Sequence, residues 1–181
     1  MPLLHTGNST LVVIDVQERL FPHIHDSAHV LDRCLWLTRL ASRLGVPVLA
    51  SEQYPEGLGP TVEPLRQEIP AGSVRRKVHF SCVADGCFDS LPAWSRRQIV
   101  LCGTEAHVCV FQTAVDLLAA GREVYVVAEA VGSRQAESRV VALARLRQHG
   151  AEIVNGEMVG FEWLRRAADD RFRDINRDFL R

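Results

Sequence analysis

The chain has 181 residues, of which 47% are hydrophobic and 24% are charged, a composition typical of one globular domain. Its 21 basic and 22 acidic residues give a net charge of −1, which does not favour nucleic acid or an anionic membrane as a partner. No apolar run approaches the ~20 residues of a membrane-spanning helix, and residues 1–10 lack the apolar segment of a signal peptide. We therefore expect a cytoplasmic protein whose five cysteines stay reduced.

Short apolar runs and stretches of helical periodicity alternate along the chain. They predict a buried strand over 10–15, a helix over 28–44 that ends at Gly45, and a second strand over 46–50. A loop rich in proline and glycine follows over 51–60. Beyond it the pattern predicts, in chain order, a short helix (61–68), a strand (73–78), a helical turn (84–90), a strand (98–102), a helix (108–120), a strand (123–128), a helix (136–149), a short strand (152–154) and a helical tail from residue 156.

This alternation of strands and helices is typical of parallel βαβ units with right-handed crossovers. The predicted fold is therefore a three-layer α/β/α domain that uses residues 1–181 as one unit. In such a sheet, ligands bind beyond the carboxyl ends of the strands. Polar residues that directly follow buried strands are therefore candidates for a functional site.

Three chemically distinct side chains lie at such strand ends. Asp15 follows four apolar residues, a costly place for a carboxylate unless it is paired or functional. Lys77 lies at the end of the third strand, and Cys109 begins a helix after the fourth, where the helix dipole predicts a lowered thiol pKa. Each has an ordinary alternative: a loop cap, a solvated lysine, a buried cysteine. Together they supply a nucleophile, a proton acceptor and a cation.

The sequence around these residues resembles the isochorismatase-like cysteine hydrolases. The resemblance runs over residues 9–160 and depends on the order and spacing of three motifs. The loop over 51–61 is similar to that of the isochorismatase domain-containing subgroup, in which many members have no assigned substrate. The three motifs are Asp15-Val-Gln17, Lys77-Val-His-Phe-Ser81 and Gly103-Thr-Glu-Ala-His-Val-Cys109.

The resemblance implies a fold, a mechanism and a set of site residues. The fold is a six-stranded parallel sheet in the order 3-2-1-4-5-6. The Cys109 thiolate would attack an amide carbonyl and form a thioester, while Asp15 carries the proton and Lys77 stabilises the thiolate and orients Asp15. The main-chain N–H groups of Glu105 and Cys109 would hold the oxyanion, and a cis peptide would join Thr104 to Glu105.

Two departures from the family's pattern restrict what the resemblance implies. Nicotinamidases bind a metal through histidines after the second strand, whereas residues 51–63 contain none, so we predict no metal and no cofactor, and nicotinamide is not favoured. The true isochorismatases, which act on a vinyl ether, often lack the cysteine, so Cys109 favours amide chemistry. Candidates for the pocket wall, the aromatic ones being equally suited to the core, are Gln17, Leu20, Phe21, Gln53, Tyr54 and Phe80.

Three other functions stay open at this point. A binding or scaffolding protein that keeps the fold without turnover is one alternative, against which the presence of all three catalytic residue types argues, and a vinyl ether hydrolase is another. A thiol redox protein would use Cys82, Cys87 or Cys109. The predicted partners are a small-molecule substrate and further copies of the same chain, with the C-terminal helix as one contact; nucleic acid and membranes are not predicted.

Overall fold

The structure, a computed structural model, describes residues 1–168 and 170–180. The predicted single unit over 1–181 thus includes two residues, Asp169 and Arg181, that lie outside the described part. The strands are β1 (Ser9–Ile14), β2 (Val48–Gln53), β3 (Val74–Lys77), β4 (Gln98–Thr104), β5 (Glu123–Gly132) and β6 (Glu152–Val154). The α-helices are α1 (Ser27–Arg43), α2 (Pro55–Leu58), α3 (Glu63–Arg66), α4 (Cys82–Asp85), α5 (Cys109–Ala119), α6 (Ala136–Gln148), α7 (Gly156–Leu164) and α8 (Asp170–Phe179).

The six strands form one parallel sheet in the order β3-β2-β1-β4-β5-β6, which confirms the predicted fold class and strand order. Helices cover both faces of the sheet. In the described part of the chain, no helix combines the length and the apolar character needed to cross a membrane.

Strand β1 shows why the apolar runs are continuous. Alternate residues of a strand point to opposite faces, and both faces of β1 are buried. Leu11 and Val13 pack in the core that contains α1 and α7, whereas Val12 and Ile14 pack in the core that contains α5. Because neither face meets water, the strand carries no alternating polar residues between Leu11 and Ile14.

Three strands run further than the sequence pattern predicts. Strand β2 continues through three polar residues to Gln53, β4 continues to Thr104, and β5 continues to Gly132. These polar residues are tolerated inside the fold because they have partners: the Glu52 carboxylate accepts hydrogen bonds from the Thr61 N–H (2.7 Å) and hydroxyl (2.9 Å). Composition alone predicts a loop over residues 51–60, which include these polar residues of β2.

The centre of the sheet lies between β1 and β4, where the chain leaves the two neighbouring strands in opposite directions. Gly103 pairs with Ile14 at this point and has a φ of +118°. A Cβ on Gly103 would lie 2.1 Å from the Ile14 carbonyl oxygen, so only glycine permits the two backbones to approach this closely. The segments that follow β1 and β4 are thereby held next to each other.

Candidate active site

Asp15 is fully buried at the carboxyl end of β1 and is held by hydrogen bonds from three directions. Its Oδ1 accepts from the Ser51 hydroxyl (2.6 Å) and its Oδ2 accepts from Lys77 Nζ (2.8 Å). Its main-chain carbonyl accepts from the Thr104 hydroxyl (2.6 Å). The residue has a φ of +51°, a conformation that non-glycine residues adopt at a cost and that marks functional turns.

Lys77 is buried as well, and its ammonium faces oxygen atoms only. Besides Asp15, Nζ donates to Gln53 Oε1 (2.6 Å) and to the main-chain carbonyls of Phe80 (3.0 Å) and His79 (3.3 Å). Burial by itself lowers the pKa of Lys77, whereas the charges on Asp15 and on the Cys109 sulfur raise it, and the net shift is upward. The ion pair with Asp15 is therefore retained despite complete burial.

Cys109 is the first residue of α5 and is 3% exposed. The prediction of a lowered thiol pKa is wrong. Burial and the nearby Asp15 carboxylate raise the pKa of Cys109, and Lys77 offsets this only in part. The helix terminus does not outweigh burial and a neighbouring negative charge. At neutral pH the proton of Cys109 therefore lies on sulfur.

The segment between β4 and α5 presents two free main-chain donors. Neither the Glu105 N–H nor the Cys109 N–H has an acceptor in the described part of the chain. The Glu105 carbonyl accepts instead from the Val110 N–H (3.2 Å). The predicted cis peptide between Thr104 and Glu105 is wrong, because every peptide bond among the described residues is trans. Glu105 reverses the chain instead through a φ of +57°.

A cavity of about 280 Å³ opens beside Cys109, and some of the residues predicted for a pocket wall line it. Of the six candidates, Leu20, Gln53 and Phe80 line it. The structure adds Leu58, Val108, Arg134 and the side chain of Glu105, to which the sequence gave no role. Arg134 follows β5, so its place after a strand was the available signal, and it was missed because the strand was predicted to end at residue 128.

The other three candidates do not line this cavity. Gln17 is buried and ties two loops together: its Nε2 donates to the carbonyls of Gln53 (3.0 Å) and Gly59 (2.7 Å). Phe21 packs at the edge of the core beside α1. Tyr54 is exposed and lies over a separate hollow next to Arg76.

No group of three or more histidine, cysteine, aspartate or glutamate side chains is arranged to hold a metal ion, as far as residues 1–168 and 170–180 are concerned. The absence of a metal from the reaction stays a prediction. All five cysteines are free thiols.

The fold and the site together define a three-layer α/β protein in which Cys109 lines a cavity at the carboxyl edge of the parallel sheet and a buried Asp15–Lys77 ion pair lies at the ends of β1 and β3. The model of the isochorismatase domain matches residues 9–158, and the chain belongs to this family of hydrolases. Among curated relatives, isochorismatase domain-containing protein 2 of Danio rerio is 37% identical over 175 residues, which cover 96% of this chain and 88% of that protein. Isochorismatase domain-containing protein 2A of Mus musculus is 35% identical over 178 residues, covering 94% and 82%.

Solved structures show the same fold. The MAR1 ribonuclease of Caenorhabditis elegans is 31% identical, with a TM-score of 0.91 over 99% of this chain and 93% of that one. The YcaC gene product of Escherichia coli, described as an octameric hydrolase of unknown specificity, has a TM-score of 0.89 over 98% and 91%. At 21% identity, YcaC supports the fold alone.

The raised pKa of Cys109 predicts how stability depends on pH. A thiol whose pKa is higher in the folded than in the unfolded state stabilises the fold below the unfolded value of about 8.5 and loses that contribution as pH rises towards the folded value. We expect the free energy of unfolding to fall above pH 8.5, and Cys109→Ser to reduce this slope by up to about 1.4 kcal/mol per pH unit. Urea unfolding of both proteins in reductant at pH 7, 8.5 and 9.5 measures the difference. If the free energy of unfolding falls equally steeply with pH in the wild type and in Cys109→Ser, the raised pKa of Cys109 is contradicted. Lys77 does not interfere with this measurement, because its own contribution to the stability of the fold is lost only above about pH 10.4.

Proposed function

We propose that this protein is a metal-independent cysteine hydrolase that cleaves the C–N bond of a small amide through a thioester on Cys109. The observation that carries the proposal is the Cys109 thiol in the wall of a cavity, close enough to the buried Asp15–Lys77 ion pair for the carboxylate to raise the pKa of the thiol. A structural ion pair needs no thiol, and a structural cysteine needs no base. Their combination beside a cavity is the arrangement of an activated nucleophile.

The proposed reaction has two halves. In the first, the thiol proton moves to Asp15 as sulfur bonds to the amide carbon; the C–N bond then breaks and Asp15 gives the proton to the leaving nitrogen. In the second, Asp15 takes a proton from water as the water oxygen attacks the thioester, and the S–C bond breaks to release a carboxylic acid and restore the thiol. In both halves the free N–H groups of Glu105 and Cys109 hold the oxyanion.

Lys77 and Ser51 act through Asp15 in this scheme. The Lys77 ammonium balances the charge of Asp15, and the donors of Lys77 and Ser51 fix the orientation of the carboxylate oxygens. Because each oxygen has a donor at 2.6–2.8 Å, the carboxylate cannot rotate away from the sulfur without losing a buried hydrogen bond. The cavity of about 280 Å³ lies below the usual range for drug-sized ligands and favours a small substrate.

The test is to trap the covalent intermediate. The protein is incubated with a panel of small amides, ureido acids and esters, quenched in acid, and mapped by mass spectrometry. We expect an acyl group on Cys109 and none on Cys87, which is a fair internal control because it is the more exposed thiol. Release of amine should accompany the adduct. A Cys109 no more reactive than Cys87 towards the whole panel would contradict the proposal.

The alternatives make different demands on the site. Vinyl ether hydrolysis gives Cys109 no role, so an adduct on its sulfur argues against it. The name of the nematode relative points to RNA, but a net charge of −1 and a cavity of this size do not favour a polyanionic strand. A binding protein without turnover would give neither adduct nor amine.

We also propose that the protein forms a homo-oligomer in a reducing compartment, the cytoplasm. The side chains of Tyr54, Val78 and Phe80 are at least half exposed close to the site, and large exposed apolar side chains that lie together often mark a contact between chains. The five free thiols support a reducing environment. Light scattering of the purified protein tests the oligomer, and a monomer at micromolar concentration would contradict it.

A further inference from the structure

The ammonium group of Lys77 has more acceptors around it than it has hydrogens. Its three hydrogens face four oxygen atoms of the described residues: Gln53 Oε1 (2.6 Å), Asp15 Oδ2 (2.8 Å) and the main-chain carbonyls of Phe80 (3.0 Å) and His79 (3.3 Å). The shortest of these contacts is to Gln53, a side chain that the reaction scheme does not use. The three nearest oxygens can take all three hydrogens, so these partners set the orientation of the ammonium.

The side-chain amide of Gln53 can take only one orientation. Lys77 only donates, so it faces the amide oxygen, whereas the Val78 carbonyl only accepts, so it faces the amide NH₂ at 2.7 Å. Turning the amide over would place donor against donor and acceptor against acceptor. An ionised carboxylate could not satisfy both neighbours either, because it has no hydrogen for the Val78 carbonyl. The position therefore suits a neutral group that both donates and accepts.

The main chain of Gln53 is fixed as firmly as its side chain. Gln53 ends β2 and pairs in register with Lys77, which ends β3, so the two side chains lie on the same face of the sheet. The Gln53 N–H donates to Gln17 Oε1 (2.7 Å), and the Gln53 carbonyl accepts from Gln17 Nε2 (3.0 Å). Gln53 also lines the cavity beside Cys109. It is thus a rigid link between the cavity wall and the buried ion pair.

We propose that Gln53 is a positioning residue for the hydrolysis: its Oε1 accepts one ammonium hydrogen of Lys77 and holds the ammonium in the direction of Asp15 Oδ2. The inference rests on the proposed function, because the place of the carboxylate matters to the rate only if Asp15 takes the proton of Cys109. Without Oε1 a buried ammonium hydrogen loses its partner, and Lys77 turns towards its remaining acceptors. The contact with Asp15 then changes in length and direction, and the base moves with it.

The test follows the alkylation of Cys109 by 2-chloroacetamide with mass spectrometry. In this reaction the thiol proton moves to Asp15, the sulfur–carbon bond forms and chloride leaves, so the proposed base is tested without the natural substrate. Saturation kinetics give an inhibition constant and a maximal rate. The variant Gln53→Met keeps the length of the side chain without its polar atoms. We expect its maximal rate to fall roughly 10–100-fold, as for a reacting group misplaced by up to about 1 Å.

The inhibition constant of Gln53→Met should change much less than the maximal rate, because the base acts on the chemical step. The control is Gln148→Met, which makes the same chemical change at an exposed glutamine at the end of α6. Both kinetic constants of this control should equal those of the wild type.

The variant Gln53→Glu gives a readout that a merely structural role would not move. A protonated carboxyl at this position matches the amide, since its hydroxyl donates to the Val78 carbonyl and its other oxygen accepts from Lys77. An ionised one competes with Asp15 for the ammonium. The proton lies on the new carboxyl rather than on Asp15, because the oxygens of Asp15 face donors. The charged groups nearby are Lys77, Asp15 and, in the cavity wall, Glu105 paired with Arg134.

The rate of Gln53→Glu relative to the wild type should therefore depend on pH. We expect it to approach the wild-type rate near pH 6 and to fall about tenfold below it by pH 9, as the new carboxyl ionises. Taking the ratio to the wild type at each pH removes the titration of Cys109 itself from the comparison.

Each outcome bears on a separate claim. A folded Gln53→Met protein with the maximal rate of the wild type would overturn the inference. So would a Gln53→Glu protein whose rate relative to the wild type does not change with pH, and this measurement decides the matter if Gln53→Met does not fold. Both results leave the proposed function in place as long as wild-type Cys109 reacts faster than Cys87. A Cys109 no more reactive than Cys87 would overturn the proposed function and the inference with it.

Discussion

Replacing Asp15 by asparagine is expected to slow the acylation of Cys109 by a factor of about 10²–10⁴, the contribution typical of a general base. The thiol has a raised pKa and keeps its proton at neutral pH, so it depends on a neighbouring acceptor to become a nucleophile. Asparagine preserves the size of the side chain but accepts no proton. Single-turnover kinetics with an activated ester, read as thioester formed per enzyme, measure the effect.

The same substitution is expected to destabilise the fold by about 3–5 kcal/mol. It leaves the Lys77 ammonium buried without its counter-ion, and the asparagine NH₂ replaces one of the two carboxylate oxygens that accept from Lys77 and Ser51. The loss of activity must therefore be separated from a loss of folded protein.

The double variant Asp15→Asn with Lys77→Met separates the two effects. Removing both charges should recover most of the stability, because a buried ion pair can be replaced by apolar groups at little cost. Activity should stay as low as in the single variant. An Asp15→Asn protein that is folded and within about fivefold of the wild-type rate would contradict the role of Asp15 as the base.

Gly103→Ala is expected to cost more than about 4 kcal/mol, a loss that few single substitutions cause. The added Cβ would lie 2.1 Å from the Ile14 carbonyl oxygen and 2.5 Å from the Ile14 nitrogen. These are backbone atoms in the central strand pair, so no flexible side chain can yield. A φ of +118° adds strain for any residue with a Cβ. Because domains are stable by only about 5–15 kcal/mol, little folded protein should remain.

Gly121→Ala is the matched control. Gly121 also has a positive φ, of +77°, but a Cβ there would meet nothing within 4 Å. Its substitution should cost only the conformational strain of about 1–2 kcal/mol. The soluble yield and the urea midpoint of the two variants compare the effects. A Gly103→Ala protein as stable as Gly121→Ala would contradict the close approach of β1 and β4.

The substitutions Asp15→Asn and Gly103→Ala affect neighbouring positions at the ends of β1 and β4. Gly103 brings the end of β4 against β1, and Thr104 then donates to the main chain of Asp15. Asp15 and Glu105 both adopt positive φ at the point where their strands end. Strained backbone of this kind persists where the surrounding structure enforces it, and here it turns the chain sharply at the ends of β1 and β4.

The sequence by itself predicted the fold class and pointed to three candidate side chains at the ends of strands. Apolar runs such as Leu11–Ile14 identify strands buried on both faces, since burial of both faces is what makes a run continuous. Asp15, Lys77 and Cys109 stand out through their places after strands and through the order of three motifs that resemble one family. These patterns lie within short segments, so they can be recognised from the sequence alone.

Only the tertiary structure decided the charge state of the thiol and the shape of the site. The pKa of Cys109 depends on burial and on a carboxylate 94 positions away in the chain, so the position of the helix terminus predicted the wrong sign. The Glu105 side chain, Arg134 and Leu58 meet beside Cys109 through loops whose paths composition does not encode. Hydrogen bonds such as that between Thr61 and Glu52 let polar residues continue a strand, and they arise only when distant segments meet.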